Sequence, residues 1–241
     1  TNAFMFLMMN VAYYATGVVG LGTVIVSTII TASRMWDGVT DPFVGMWIDR
    51  TDGKFGKFRP FMVLGYSVMT IITLLMFFTN HLVPEALRLP YFIALYAIYI
   101  IGYTFQTAVT KAGQTVLTND PEQRPLFSTF DISFTGLFFA GAGIYLSNYL
   151  VPKYGSFNSA PLFREFTLTI IAFSGVLTLL AILGIWSSDR TENFGTGEPV
   201  KITFKDMWKI IKGNRPLQML IIAASTDKLG ATVATNSIVM V

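Results

Sequence analysis

Apolar residues run along this chain in long unbroken stretches separated by short polar ones. The stretches fall near 1–20, 23–48, 60–79, 90–117, 132–151, 167–187 and 217–241. An α-helix needs about 20 apolar residues to cross the ~30 Å hydrocarbon core of a bilayer, and these runs are of that order. They are too long for strands and lack period-2 alternation. The pattern predicts an all-α membrane protein, with six spanning helices over 1–187. A polar linker over 188–216 and the start of a seventh helix over 217–241 follow. The first and last runs look cut, since the chain opens on Thr1 with no initiator methionine or basic leader and stops inside an apolar run. It therefore reads as part of a longer protein.

The loops divide by charge. Arg50, Lys54, Lys57 and Arg59 follow the second run, Arg124 follows the fourth, and Arg190, Lys201, Lys205, Lys209, Lys212 and Arg215 precede the seventh. The opposite loops hold Arg88, Lys153 and Arg164. The positive-inside rule puts the richer side in the cytoplasm, with the N-terminus there too. Within the linker, Phe204, Met207, Trp208, Ile210 and Ile211 alternate with Lys205, Asp206, Lys209 and Lys212. This predicts a helix on the cytoplasmic membrane surface or a solvated connector.

Composition agrees: 53% of residues are hydrophobic and 13% charged, against about 25% charged in soluble domains. A net charge of +3 is too small to suggest nucleic-acid binding. The absence of cysteine excludes disulfides and thiolate chemistry, and a single histidine, His81, excludes histidine clusters. With no metal-ligand cluster, no Ser/His/Asp set and no phosphate-binding glycine loop, an enzyme is not expected, nor is any cofactor.

Charges inside the apolar runs are the candidates for function, because ionisable groups in a bilayer are costly and face a cavity or a partner. Arg34, Asp37 and Asp41 share one face of the second run, the two aspartates about 40° apart. Counted from Asp49, Asp41 lies about 12 Å deep and Asp37 about 18 Å deep at 1.5 Å per residue. Two carboxylates one turn apart suit a hard cation such as Na⁺, or a shared proton; a pair of Arg34 with one aspartate that fixes helix packing is the other reading. The fourth run has a polar stripe of Thr104, Thr107, Lys111, Gln114 and Thr118, flanked by Gln106 and Thr110. Lys111 is level with Asp41 and can pair with it or snorkel to the interface. In the seventh run, Asp227 and Lys228 form either a substrate contact or a mutually neutralising pair. Gly136, Ala140, Gly141 and Gly143 in the fifth run predict close helix packing. Tyr13, Tyr14, Tyr96 and Tyr99 are aromatic candidates for stacking on a bound ring, although with 10 tyrosines and 21 phenylalanines most aromatics are expected to pack or face lipid.

The segment from Arg34 through Asp37, Asp41, Pro42 and Gly45, continuing from Asp49-Arg50 to Gly53-Lys54-Phe55-Gly56-Lys57-Phe58-Arg59-Pro60, resembles the signature of the glycoside–pentoside–hexuronide:cation symporters. These are the melibiose permease relatives within the major facilitator superfamily. The resemblance implies a transporter of two six-helix bundles, monomeric in the membrane lipid, that carries a sugar, glycoside or hexuronide by alternating access. It implies a cation site of Asp37 and Asp41, with Na⁺, Li⁺ or H⁺ as coupling ion and Na⁺ as the metal. Gly45, Asp49, Arg50, Lys54, Lys57 and Arg59 correspond to a cytoplasmic gating loop. The family's cation-ligating threonine on the fourth helix falls at Gln106, its fourth-helix sugar aspartate at Val109 and its first-helix sugar aspartate at Thr1. Lys111 departs from the pattern, as a fixed charge beside Asp41 that makes the protein H⁺-coupled or uncoupled, or as a contact, with Lys228, for an anionic substrate. Thr107, Gln114 and Asp227 complete the expected substrate set.

Overall fold

The computed structural model describes residues 1–51, 55–118, 120, 122–189 and 204–239, with side chains undescribed at 115, 116, 124, 204–208, 225, 228, 229 and 231–239. The chain forms two compact units, Thr1–Phe194 and Gly195–Val241. Among the described residues the regular elements are all helical.

The first apolar run is two helices, not one: α1 (Asn2–Met9) and α2 (Val11–Gly17). Asn10 breaks them at φ −95°, ψ 3°, its amide turning to the Leu7 carbonyl. The Phe6 carbonyl released by this turn accepts a 2.9 Å bond from the Asn10 side chain. A residue whose side chain can replace a backbone donor is what a break inside a bilayer requires. Gly20, at φ +83°, stops α2, with the Leu21 amide reaching back to the Ala15 carbonyl.

The long helices follow: α3 (Thr23–Arg50), α4 (Arg59–Thr79) and α5 (Glu85–Leu117), with a 3₁₀ turn at Asn80–Leu82 between the last two. Next is α6 (Arg124–Ile144), which passes through a π-helical segment, Tyr145–Leu150, into α7 (Val151–Tyr154). The unit's last helix is α8 (Ala160–Gly184). Arg59–Leu82, Glu85–Gln114, Pro125–Tyr154 and Ala160–Gly184 are long and apolar enough to cross a membrane, so this is a multi-pass membrane protein. At about 42 Å, α3 is long enough as well, but it carries Arg34, Asp37 and Asp41. The second unit holds α9 (Phe204–Gly213) and α10 (Arg215–Val239).

The helices α4 and α5 cross closely. A β-carbon at Gly65 would fall 3.0 Å from the Gln106 amide and the Gly102 carbonyl, and one at Gly102 would fall 2.8 Å from Val68. Small residues let the two backbones approach this far. The expectation of close packing at Gly136, Gly141 and Gly143 is not met, since a β-carbon at any of them would meet open space. There α6 exposes Phe130, Phe134, Leu137 and Ile144. Two aromatic clusters fill the interior. Val44, Ile48, Phe61, Met62, Phe105 and Val109 close one end, with Phe61 and Phe105 stacked at 5.6 Å. At the other end, Phe77 and Phe163 stack at 5.6 Å beside Tyr14.

Candidate functional site

The paired aspartates sit where α3 and α5 run side by side in the same direction. Two hydrogen bonds fix their register: Trp36 Nε1 donates to the Ala97 carbonyl at 3.3 Å, and Thr104 Oγ1 donates to Asp41 Oδ1 at 3.2 Å. One turn along from Asp41, Asp37 meets Arg34 Nη1 at 3.5 Å, with 18% of the aspartate side chain and 55% of the arginine side chain exposed. The arrangement is an oxygen-rich patch with a loosely held guanidinium beside it.

Gln106 does not join this patch. It is buried on Gly65 of α4, about 200° around α5 from Thr104. Val109, at the position matched to the family's sugar aspartate, is buried in the Phe61–Phe105 cluster, whereas Thr107 faces a cavity. Thr104 and Thr107 each stand two residues before the positions matched from the sequence, Gln106 and Val109.

That cavity has a volume of about 870 Å³, within the usual range for small-molecule sites. Gln106, Thr107, Thr110 and Lys111 line it from α5, and Asp131 and Thr135 from α6. Thr1 and Asn2 border it too, with Asn2 Nδ2 donating to Thr135 Oγ1 at 2.6 Å. Lys111 pairs with Asp131, Nζ to Oδ2, at 3.0 Å. The expectation that Lys111 stands beside Asp41 is corrected: its ammonium is already balanced across the α5–α6 gap. Sequence reading missed Asp131 because it began the fifth helix at 132. The helix starts at Arg124, which carries Asp131 two turns in, level with Lys111. Gln114 is half-buried and outside the lining. In the second unit Asp227 is exposed, and the Lys228 side chain lies outside the described residues.

The proposed stacking tyrosines are occupied in packing. Tyr14 is fully buried, and its hydroxyl donates to the Met76 carbonyl at 2.9 Å and also meets His81 Nδ1 at 3.0 Å. Tyr13 stacks on Phe157 at 5.2 Å. Tyr96, Tyr99 and Tyr103 form a column along α5 with ring spacings of 6.3 and 6.1 Å. Tyr96 and Tyr99 are buried, and the Tyr99 hydroxyl has no hydrogen-bond partner.

In the basic loop after α3, Lys57 Nζ pairs with Asp49 Oδ1 at 3.1 Å, Arg50 is exposed and Gly45 is half-buried. Lys54 lies outside the described residues. Arg59 turns inward to Asp189, which sequence reading had left in the linker. The Asp189 carboxylate accepts the amides of Lys57 (2.8 Å), Phe58 (3.1 Å) and Arg59 (3.0 Å), and Arg59 Nε at 3.3 Å. Arg59 Nη2 also donates to the Asp189 carbonyl at 3.0 Å, and its guanidinium lies 4.4 Å from the Trp186 ring centre. Asp189 thus caps the positive N-terminal end of α4 from the end of α8. Gly56, at φ +85°, gives the carboxylate room: a β-carbon there would collide with Asp189.

Over 234 residues the chain is 28% identical to the uncharacterized symporter YjmB of Bacillus subtilis, covering 92% of this chain and 48% of that one. It is 36% identical over 110 residues to the raffinose carrier protein of Pediococcus pentosaceus, and 33% identical over 110 residues to the lactose permease of Lactobacillus delbrueckii subsp. bulgaricus. Each of these two matches covers 44% of this chain and 17% of the relative. The chain therefore spans about half the length of the first relative and matches a smaller part of the other two. These relatives are carriers and symporters, not enzymes. Residues 2–239 match the MFS/sugar transport protein family, and it is to this family that the chain belongs.

Proposed function

We propose that the full-length protein is a secondary active transporter that couples a Na⁺ or H⁺ gradient to uptake of a sugar, glycoside or hexuronide across the cytoplasmic membrane. In this reading residues 1–187 are the N-terminal bundle, 188–216 a cytoplasmic linker and 217–241 the start of the second bundle. The N-terminus faces the cytoplasm, and the protein works as a monomer by alternating access. The observation that carries the reading is the α3 patch: two carboxylates one turn apart, one loosely matched by Arg34 and the other met by the Thr104 hydroxyl. Carboxylates inside a spanning segment are costly and call for a partner, and a coupling cation is one that two of them on a single helix face can hold.

Thr107, Lys111 and Asp131 on the cavity wall offer the donors and acceptors that sugar hydroxyls need. Asp227 and Lys228 belong to the same proposal as contacts from the second bundle. Because Asp131 balances Lys111, a neutral glycoside meets no uncompensated charge, whereas a uronide must compete with Asp131. The pairing also moves Lys111 away from the role of a cation substitute at Asp41, which favours coupled transport over facilitated diffusion.

The test is uptake by the full-length protein in proteoliposomes, with labelled neutral glycosides, pentosides and hexuronides and imposed Na⁺ or pH gradients. Accumulation driven by one gradient and abolished by Asp37→Asn and by Asp41→Asn is the expected result. Uptake that merely equilibrates and ignores both ions would make the protein a facilitator. No uptake of any solute, with both substitutions tolerated, would point to a receptor or scaffold.

A further inference from the structure

The second unit holds a feature that neither the sugar cavity nor the aspartate pair uses. Helix α9 is about 15 Å long, half of what crosses a bilayer, and a single residue, Asn214, separates it from α10. At 100° per residue its apolar positions, Phe204, Met207, Trp208, Ile210 and Ile211, fall within an arc of about 160°. Lys205, Lys209 and Lys212 fall within an arc of about 60° on the other side. Ile210 is 55% exposed, so the apolar face is open there, and Lys209 and Lys212 are exposed as well. The corner that follows is closed by side chains. Gln218 Nε2 donates to the carbonyls of Ile211 at 2.9 Å and Lys212 at 3.1 Å in the last turn of α9. Asn214 Oδ1 accepts the Leu217 amide at 3.1 Å at the start of α10. Groups left open at the two helix ends are thus satisfied at the joint, which fixes α9 to the start of α10. There α10 opens on the apolar stretch Arg215–Ala224, where Met219, Leu220 and Ile222 are each more than half exposed. Such a surface belongs in hydrocarbon, and that brings α9 to the level of the lipid headgroups.

We propose that α9 is a docking helix for anionic phospholipid, which holds the linker on the cytoplasmic face of the membrane. This rests on the placing of the linker in the cytoplasm and of α10 at the start of the second bundle, as proposed above. Charge chooses the partner. Residues 201–215 carry Lys201, Lys205, Lys209, Lys212 and Arg215 against one acidic residue, Asp206. A basic cluster of this size beside a membrane-entering helix is drawn to a negatively charged leaflet. The leaflet offers an apolar layer for one face of α9 and phosphates for the other, and lysine stems are long enough to reach those phosphates from the helix flank. The linker is then tethered at its downstream end by lipid, and the tether weakens as the anionic fraction of the membrane falls.

The experiment places the full-length protein in nanodiscs of phosphatidylcholine alone or of an equal mixture with phosphatidylglycerol, and reads amide hydrogen exchange over 204–213. Wild type is expected to exchange at least about ten-fold more slowly in the mixed discs, well within what three lysines near an anionic surface supply. High salt should remove that difference in wild type, because it screens exposed charges. So should the combined substitution Lys205→Gln, Lys209→Gln and Lys212→Gln, and so should Ile210→Asp, with exchange in α4 and α5 unchanged. Exchange that is equally fast in both discs would make α9 a solvated connector. Exchange that is equally slow in both discs and in detergent would mean that the rest of the protein covers its apolar face. Either result overturns the proposal, as does a ten-fold difference that survives both salt and the lysine substitutions. None of these readouts involves transport, so the cation and sugar sites stand or fall by the uptake test.

Discussion

Two arginine–aspartate pairs in the first unit live under opposite rules. Arg59 and Asp189 are buried, and the carboxylate receives three backbone amides as well as the guanidinium. Arg34 and Asp37 meet through one 3.5 Å contact on an open helix face. Residue types are the same, so the difference is one of surroundings. A carboxylate withdrawn from water is held only if its lone pairs are satisfied, and Asp189 achieves this by closing the start of α4. A carboxylate left partly exposed keeps its ability to change partners. The first pair joins the ends of α4 and α8, and under the proposed function the second is placed for exchange.

The largest expected effect breaks the closed pair. Asp189→Ala strands three amides and the Arg59 guanidinium, and should cost about 3–5 kcal/mol, read as a fall in the thermal midpoint of the full-length protein in detergent. An unchanged midpoint would mean that the pair does not join the two helix ends. Next comes Thr104→Val, which removes a hydroxyl donated to a partly exposed carboxylate. We expect a loss of about 1 kcal/mol in the same measurement and a weaker response to the coupling ion. Smallest in stability is Arg34→Ala, at under about 1 kcal/mol, as for exposed pairs generally. Its signature should lie in the ion dependence of uptake, and a stability loss rivalling that of Asp189→Ala would erase the contrast between the two pairs.

Much of this architecture was legible along the chain, because spanning helices announce themselves by length and apolarity. The shared face of Arg34, Asp37 and Asp41 followed from helical spacing alone. What local spacing does not contain is the identity of a partner far away in sequence. Asp189 meets amides 130 to 132 residues earlier, and Asp41 meets a hydroxyl 63 residues later. Gln106 and Thr104 are equally polar neighbours on one helix, and only the docking of α5 on α3 decides which of them reaches Asp41. Asp131 was missed for a different reason: a helix boundary drawn from apolarity starts where the charges stop, and α6 begins about two turns before that point. Close packing was expected from the glycine spacing of α6, but it occurs at Gly65 and Gly102, which only the crossing of α4 and α5 reveals.

The break at Asn10 has a mechanical consequence. A spanning rod that bends normally leaves a carbonyl facing hydrocarbon, and that penalty stiffens it. Here the Asn10 amide group already holds the Phe6 carbonyl. The segment is therefore a jointed strut, two short levers of about 12 and 10 Å on a pivot whose bonding is complete before it moves. Tilting α1 against the cavity wall, where Asn2 holds Thr135 of α6, then need not drag α2 away from its seat under Phe77 and Phe163.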